Sequence, residues 1–257
     1  MTATRFLPGL PAEAVEVELN ASPGGEPASG KFDHPESSSA LAVNTFGWFL
    51  QRPGCLPALP LPGFKQHWPA LEVAIESEMR FPWSGGRHPW LDVGILTKTA
   101  LIGVESKRYE PFRGKPKADF SKAYDRAVWG DRMDAYCRMR DRLREGTLQY
   151  QALDAAQLVK HAFGLRTQTA KGGRFRGTRP ILVYLFAEPE CWPDGRPVDP
   201  VRRTLHQDEI TDFAQRVAGD EVAFHALDYA AVLDEWQRGH NRPLADHADL
   251  VKQTYRP

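Results

Sequence analysis

The chain has 257 residues, of which 42% are hydrophobic and 26% are charged, and its formal net charge at pH 7 is zero. This length and composition are typical of a globular protein with a full core, and they exclude an intrinsically disordered chain, a collagen and a coiled coil. A net charge of zero excludes a histone-like polycation and gives the chain no overall attraction to nucleic acid.

The first elements along the chain are an irregular segment, a helix and three strands. Residues 1–36 mix Pro, Gly, Glu and Ser with little periodicity, and they predict an irregular arm. The three serines at 37–39 predict the N-terminal cap of a helix that runs to about Gln51. The short polar link 97–99 predicts an antiparallel hairpin of the second and third strands. The three segments with strand character are 71–81, 90–96 and 100–107.

The segment at about 112–150 is rich in charge and predicts a helical insertion after the third strand. Its residues 119–144 have the pattern of one or two amphipathic helices, broken near Gly130. Positions 107–144 contain twelve Lys and Arg and six Asp and Glu, a local balance of +6, whereas residues 1–40 contain six acidic and two basic residues. The middle of the chain is therefore basic and its start is acidic.

The rest of the chain continues the alternation of helices and strands. A helix is predicted from Asp154, which suits an N-cap, to Gly164, which suits a C-terminal stop. Further predicted elements are a buried strand at 181–186, a helix at 208–217, a strand at 222–225 and a helix at 229–238, and His240 and His247 are expected at the surface. Without the insertion the order is α-β-β-β-α-β. This order predicts an α/β fold, with a mixed central sheet flanked by helices, in a single domain over residues 37–257.

Two acidic residues and a lysine lie on the predicted hairpin. The two-residue period of a strand puts Glu105 and Lys107 on one face of the segment 100–107. Asp92 lies thirteen residues before Glu105, on the neighbouring strand, so the two carboxylates are expected to converge. Paired carboxylates are ligands of Mg²⁺ or Mn²⁺, which can lower the pKa of a bound water for attack on a phosphodiester. Lys107 is placed to orient that water or to stabilise the transition state.

Asp92, followed by Glu105-Ser106-Lys107 on adjoining strands of this element order, resembles the PD-(D/E)xK nuclease superfamily of restriction-endonuclease-like proteins. The resemblance spans roughly residues 37–190. It implies that Asp92 and Glu105 bind Mg²⁺, for which Mn²⁺ can substitute, and that Lys107 is catalytic. It also implies a nucleic-acid substrate, with DNA expected. The sequence departs from the literal motif because the nearest proline, Pro89, does not directly precede Asp92.

Many members of this superfamily add a glutamate upstream of the motif aspartate. Glu72, Glu76 and Glu78 are available on the predicted strand 71–81, and strand alternation places all three on one face. We favour Glu78, and then Glu76, as the additional catalytic or metal-binding residue, because these two are nearest to Asp92 in the chain. The choice between them stays open.

The helix that follows the insertion carries a polar stripe. Gln157, Lys160 and His161 have the spacing i, i+3 and i+4 and share one side of the helix. Some branches of the superfamily place a Gln and a second polar residue on this helix. The resemblance therefore implies that Gln157 binds a water at the scissile phosphate and that Lys160 binds a phosphate oxygen. The alternative is a solvated helix face.

A basic, glycine-rich stretch comes after this helix. Residues 160–179 contain six Lys and Arg and no Asp or Glu. The glycines would let the basic side chains follow a phosphate backbone, whereas the alternative is a flexible surface loop. The predicted nucleic-acid-binding residues of this stretch are Lys171, Arg174, Arg176 and Arg179.

The sequence thus predicts an Mg²⁺-dependent nuclease that acts as an endo- or exonuclease. A cytoplasmic protein without membrane contact is expected, because no long apolar run, signal peptide or disulfide pattern occurs. Two alternatives are a catalytically inactive protein that keeps the fold for nucleic-acid or partner binding, and a structural protein in which Glu105 and Lys107 form a surface ion pair. DNA or RNA as substrate, and formation of a homodimer, stay open.

Overall fold

The computed structural model describes residues 5–22, 30–116 and 118–257. Its centre is one five-stranded mixed sheet with the order β1-β2-β3-β4-β5. β1 pairs with β2 and β2 with β3 in antiparallel orientation, whereas β3 pairs with β4 and β4 with β5 in parallel orientation. The strands are β1 (Ala70–Glu78), β2 (Trp90–Thr97), β3 (Ala100–Lys107), β4 (Arg179–Phe186) and β5 (Ala223–Asp228).

Helices cover both faces of the sheet. In the described part they are α1 (Ala12–Ala21), α2 (Ser38–Phe46), α3 (Asp134–Glu145), α4 (Ala155–Thr169), α5 (Pro200–Val217), α6 (Tyr229–Arg238) and α7 (Arg242–Tyr255), with short 3-10 turns between them. Helices α2, α6 and α7 pack on one face and α3, α4 and α5 on the other. The succession α2-β1-β2-β3-α4-β4 confirms the predicted α-β-β-β-α-β order and the α/β class. None of these helices combines the length and apolar character needed to cross a membrane.

The predicted hairpin of β2 and β3 forms around Thr97. Its hydroxyl oxygen accepts a hydrogen bond from the backbone N–H of Ala100 at 2.9 Å. The ladder of the two strands runs from Leu96 opposite Leu101 to Val93 opposite Val104. Continuing this register by one residue sets Asp92 opposite Glu105, which is the juxtaposition that the hairpin predicts.

Residues 12–21 form α1, so the prediction of an irregular arm over residues 1–36 is wrong there. Val15 and Leu19, one helical turn apart, are buried in a cluster that includes Ile75 of β1. Glu18 Oε2 accepts a hydrogen bond from the backbone N–H of Ile75 at 2.7 Å, which occupies the free edge of β1. Two buried positions are too few to give a clear periodicity in the sequence. Residues 1–4 and 23–29 of the predicted arm lie outside the described residues.

The predicted start of α4 agrees with the structure, but its predicted stop does not. Asp154 caps the helix, since its side chain accepts a hydrogen bond from the backbone N–H of Gln157 at 2.9 Å. The helix does not end at Gly164 and continues to Thr169. A Cβ at Gly164 would lie 2.7 Å from Met79 Cβ, so this glycine allows close packing and does not terminate the helix.

The described residues of the insertion form one α-helix, α3, and the predicted helical pattern before Gly130 is wrong. Only residues 122–125 form a short 3-10 turn there. Tyr124 and Trp129 are buried, and the Trp129 ring stacks on Phe163 of α4 at 4.2 Å between centroids. These two aromatic anchors hold the segment against α4 in an irregular conformation.

The C-terminal part is more helical than predicted. Helix α5 begins at Pro200, after an Asp199 cap, and not near residue 208. Helix α7 was not predicted, although it buries Leu244, Ala248 and Val251 on one side. His247 of α7 is buried and stacks on Trp48 at 5.6 Å, so the expectation of a surface residue is wrong. Burial lowers the pKa of His247 to about 4.

Candidate functional site

Asp92, Glu105 and Lys107 come together where the β2–β3 ladder ends. Beyond the last printed pair, Val93 and Val104, the backbone N–H of Ser106 donates a hydrogen bond to Asp92 Oδ2 at 2.7 Å. On β3, Lys107 Nζ donates to Glu105 Oε1 at 2.6 Å. The structure therefore brings the three motif residues into one site.

Glu105 is held from two sides. Lys107 contacts its Oε1 atom, and His161 Nε2 of α4 lies 2.9 Å from its Oε2 atom. The Glu105 side chain is 2% exposed, that of Lys107 15% and that of His161 3%. A pair this deeply buried is not the surface ion pair of the alternative interpretation, which is wrong on this point. His161 is also not part of a solvated helix face.

His161 reaches Glu105 because α4 packs closely on β3. Gly103 is on the same face of β3 as Glu105, and a Cβ there would clash with Leu91 and lie 3.0 Å from Leu165 Cδ2. Two residues of a strand and four residues of a helix both advance by about 6 Å. The contacts of Leu165 at Gly103 and of His161 at Glu105 therefore match the rise of the two elements. The close approach at Gly103 and the spacing of residues along α4 together place His161 beside Glu105.

The charges of the site act strongly on one another. Burial raises the pKa of Asp92 well above its usual value, and the neighbouring Glu105 carboxylate raises it further. Burial also opposes the charge of Glu105, but Lys107 and His161 outweigh it and hold the pKa of Glu105 at about 2. Burial opposes the charge of Lys107 as well, but Glu105, Glu110 and Asp92 raise its pKa above the usual range. Glu105 and Lys107 are thus charged, while the charge of Asp92 lacks full compensation.

Of the upstream glutamates, Glu76 is the one that acts on Asp92. Its charge is among those that raise the pKa of Asp92, and its Oε1 atom accepts from the Ser39 hydroxyl at 3.4 Å. Glu76 also has a positive φ of 49°, which is rare for a residue with a side chain and costs about 1–3 kcal/mol. Glu78 instead pairs with Arg80 at 3.5 Å. These observations favour Glu76, whereas the sequence favoured Glu78, and the choice between the two stays a prediction.

The simple alternation that put Glu72, Glu76 and Glu78 on one face does not describe β1. The register of β1 and β2 shifts between Ala70 and Glu72, and Glu76 has its left-handed conformation between two regular pairs. Glu72 lies away from the site and approaches Arg174 at 3.6 Å. Alternation fails here because it assumes an unbroken pleat.

A cavity of about 270 Å³ opens beside Lys107. Gln157 lines it, as the predicted role in binding water requires, together with Tyr184 and Glu110. Lys160 does not line this cavity, and its Nζ atom lies 5.4 Å from the centre of the Phe120 ring. The three polar residues of α4 therefore have different surroundings: His161 contacts Glu105, Gln157 lines the cavity and Lys160 lies against the insertion.

Sequence analysis did not identify Glu110 or assign a role to His161. Glu110 follows the motif strand, and its carboxylate accepts hydrogen bonds from the Ser38 hydroxyl and from the backbone N–H of Arg108. The only signal for Glu110 was its place three residues after Lys107. For His161 the signal was its spacing four residues after Gln157, which did not reveal that it is buried.

The basic stretch after α4 lies away from the carboxylates. Arg179 pairs with Ala100 at the first position of β3, whereas Lys107 is the last residue of that strand. Seven residues of strand span about 23 Å. The structure therefore does not bring the four predicted nucleic-acid-binding residues of this stretch, Lys171, Arg174, Arg176 and Arg179, into the site.

The chain matches the model of a known protein family. A family model described as "Restriction Endonuclease associating with ARP" matches residues 6–255, which extend from before α1 to the end of α7. No curated protein and no solved structure matches the chain. The mixed five-stranded sheet with flanking helices is consistent with a restriction-endonuclease-like fold. The chain therefore belongs to the family described as "Restriction Endonuclease associating with ARP".

Proposed function

We propose that the chain is a metal-dependent nuclease of the PD-(D/E)xK type that hydrolyses phosphodiester bonds of DNA. The observation that carries the proposal is the convergence of two carboxylates, the half-buried Asp92 and the buried Glu105, beside the largely buried ammonium group of Lys107. The family supports a restriction-endonuclease-like nuclease. The metal, the DNA substrate and the roles of these residues are our proposal.

The chemistry of the site fits a hard divalent cation. Four carboxylates, those of Glu76, Asp92, Glu105 and Glu110, act on one another or on the single lysine, Lys107. In residues 5–22, 30–116 and 118–257, no three His, Cys, Asp or Glu side chains form a ready metal cluster. Mg²⁺ is commonly held by one or two carboxylates and keeps several waters, so Asp92 and Glu105 suffice as protein ligands. Such an ion would offset the uncompensated charge of Asp92.

Hydrolysis adds water across one P–O bond and yields a phosphate monoester and a hydroxyl group. A bound Mg²⁺ would polarise the phosphodiester and lower the pKa of a coordinated water. Lys107 supplies a positive charge at the cavity, where it stabilises the charge that develops on the phosphoryl oxygens. Gln157, which lines the same cavity, is placed to hydrogen-bond the attacking water.

In this proposal His161 is a positioning residue. Its Nε2 atom contacts Glu105 Oε2, while Lys107 occupies Oε1, so the two contacts fix the plane of the carboxylate. A carboxylate held in this way is already oriented to bind a cation through its remaining lone pairs. The family description also names an association with ARP, and we include a partner of that description among those expected for this chain.

The test is cleavage of labelled DNA by the purified chain with Mg²⁺, with Mn²⁺ and with EDTA. We expect cleavage that depends on the metal and falls about 100-fold or more in Glu105→Gln and in Lys107→Met. Lys98→Met is the matched control, because Lys98 is exposed at the far end of the hairpin and should leave cleavage unchanged.

Two outcomes would contradict the proposal. Cleavage that survives both substitutions would exclude this site as the catalytic centre. DNA binding without cleavage in any metal would favour the inactive alternative, in which the fold is kept for binding alone.

A further inference from the structure

We infer that nucleic acid binds along a surface formed by the insertion and the β1–β2 loop, and not along the basic stretch 171–179. We name this surface the insertion face and define it by Trp83, Arg87, Phe120, Lys122 and Arg126. The inference rests on the proposed nuclease function, because it assigns the substrate surface of the same site.

The insertion face begins at the cavity. Arg113 and Pro116, at the start of the insertion, line the cavity together with Lys107 and Gln157. One turn along α4, Lys160 Nζ lies over the Phe120 ring of the insertion. The insertion therefore leaves the site along the exposed side of α4, and a strand that enters the cavity would continue over it.

Aromatic packing joins the insertion to the β1–β2 loop. The Trp129 ring lies 5.3 Å from that of Phe81 and 5.6 Å from that of Trp83. The guanidinium of Arg126, an exposed residue, lies 4.5 Å from the centre of the Trp83 ring. Because Trp129 also stacks on Phe163 of α4, the loop, the insertion and the helix form one continuous surface.

The insertion face is basic and exposed. Residues 113–128 contain five Lys and Arg and two Asp, and one of these, Asp125, pairs with Arg144. Arg87, Lys122 and Arg126 are exposed, and none of them forms an ion pair with another described residue. Cations without a carboxylate partner are available to phosphates, and each phosphate contact releases counterions.

The basic stretch 171–179 differs from the insertion face in its ion pairing and in its position relative to the site. Arg174 already approaches the carboxylate of Glu72. The stretch also joins α4 to the start of β4, at the end of the sheet opposite Lys107. A phosphate backbone held there alone would not reach the carboxylates, since the two ends of β3 are about 23 Å apart.

The test compares two triple variants of the full chain in binding to a labelled DNA duplex, with EDTA present to prevent cleavage. The same titrations with the single strand and with RNA of the same sequence show which nucleic acid the surface prefers. The first variant neutralises the insertion face with the substitutions Arg87→Gln, Lys122→Gln and Arg126→Gln. The matched control removes the same charge from the other stretch with Lys171→Gln, Arg174→Gln and Arg176→Gln.

We expect the insertion-face variant to weaken binding about tenfold or more and to lower the salt dependence by about one unit of slope per lost contact. The control should change affinity less than about twofold, because its residues lie away from the path. If the Arg126 substitution unfolds the loop, as a lower melting temperature would show, the double variant Arg87→Gln with Lys122→Gln replaces the triple variant.

The outcomes separate this inference from the proposed function. Equal losses in both triple variants, or a loss only in the control, would overturn the insertion face while leaving the nuclease proposal intact. A wild-type chain that binds neither DNA nor RNA in EDTA, and that cleaves neither of them with Mg²⁺ or Mn²⁺, would refute the proposed function, and the inference would fall with it.

Discussion

The incompletely compensated carboxylate of Asp92 predicts a gain in stability when its charge is removed. In Asp92→Asn the amide oxygen can still accept the hydrogen bond from the backbone N–H of Ser106, so the main change is the loss of the charge. Burial and the nearby Glu105 carboxylate both disfavour that charge in the folded state. The substitution should therefore stabilise the metal-free protein, although it removes a proposed metal ligand.

The size of the effect follows from the cost of the charge. A single stabilising substitution commonly contributes about 0.5–2 kcal/mol. One kcal/mol shifts the melting temperature of a domain of this size by about 2–4 °C, so we expect a rise of about 1–8 °C in EDTA. Because the pKa of folded Asp92 is raised, its neutral form stabilises the fold at low pH and this contribution is lost as pH rises through the folded pKa. The advantage of Asn should therefore grow from acidic to neutral pH.

The assay is thermal unfolding in EDTA and in Mg²⁺, at acidic and at neutral pH. Mg²⁺ should raise the melting temperature of the wild type and have little effect on Asp92→Asn. Asp220→Asn is the matched control, since Asp220 is also half-buried and accepts a hydrogen bond from the backbone N–H of Tyr136 at 2.9 Å. A lower melting temperature for Asp92→Asn in EDTA, or an unchanged response to Mg²⁺, would refute the reasoning.

Three further predictions concern the metal site and the stability of the fold. Glu76→Gln should weaken Mn²⁺ affinity about tenfold in calorimetric titration, whereas Glu78→Gln should not. A loss in Glu78→Gln and not in Glu76→Gln would instead support Glu78, which is nearer to Asp92 in the chain. Glu209→Ala should lower the free energy of unfolding in urea by about 2–3 kcal/mol, since this carboxylate accepts three backbone hydrogen bonds at the end of the insertion. A loss below about 0.5 kcal/mol would contradict that role. Burial lowers the pKa of His206 and of His247 to about 4. Histidine in the unfolded chain titrates near pH 6.5, so each of these two residues should lower the free energy of unfolding by about 2 kcal/mol between pH 7 and pH 5. His247→Gln should therefore reduce the loss of stability on acidification.

Local sequence patterns predicted the centre of the fold well. The alternation in 90–96 and 100–107 and the polar link between them located β2 and β3, and these strands fix Asp92, Glu105 and Lys107. These three residues lie on one hairpin, so their proximity follows from the strand period and a short turn. The motif was predictable because it is local.

The parts that the sequence did not predict depend on packing between distant segments. The burial of His161 follows from the approach of α4 to Gly103, which is far from it in the chain. The preference for Glu76 over Glu78 rests in part on a left-handed backbone conformation, which strand alternation does not predict. Helix α1 was missed because its two buried residues pack on Ile75 of β1. Each of these features arises from tertiary contacts and not from local propensity.

The most direct test of the account is a crystal of the chain soaked in Mn²⁺ and measured for anomalous scattering. The account predicts a peak bound by the carboxylates of Asp92 and Glu105, with Lys107 beside it, and no such peak in a crystal of Asp92→Asn. A peak elsewhere, or its absence at a concentration of Mn²⁺ that supports cleavage, would contradict a metal site built on these two carboxylates.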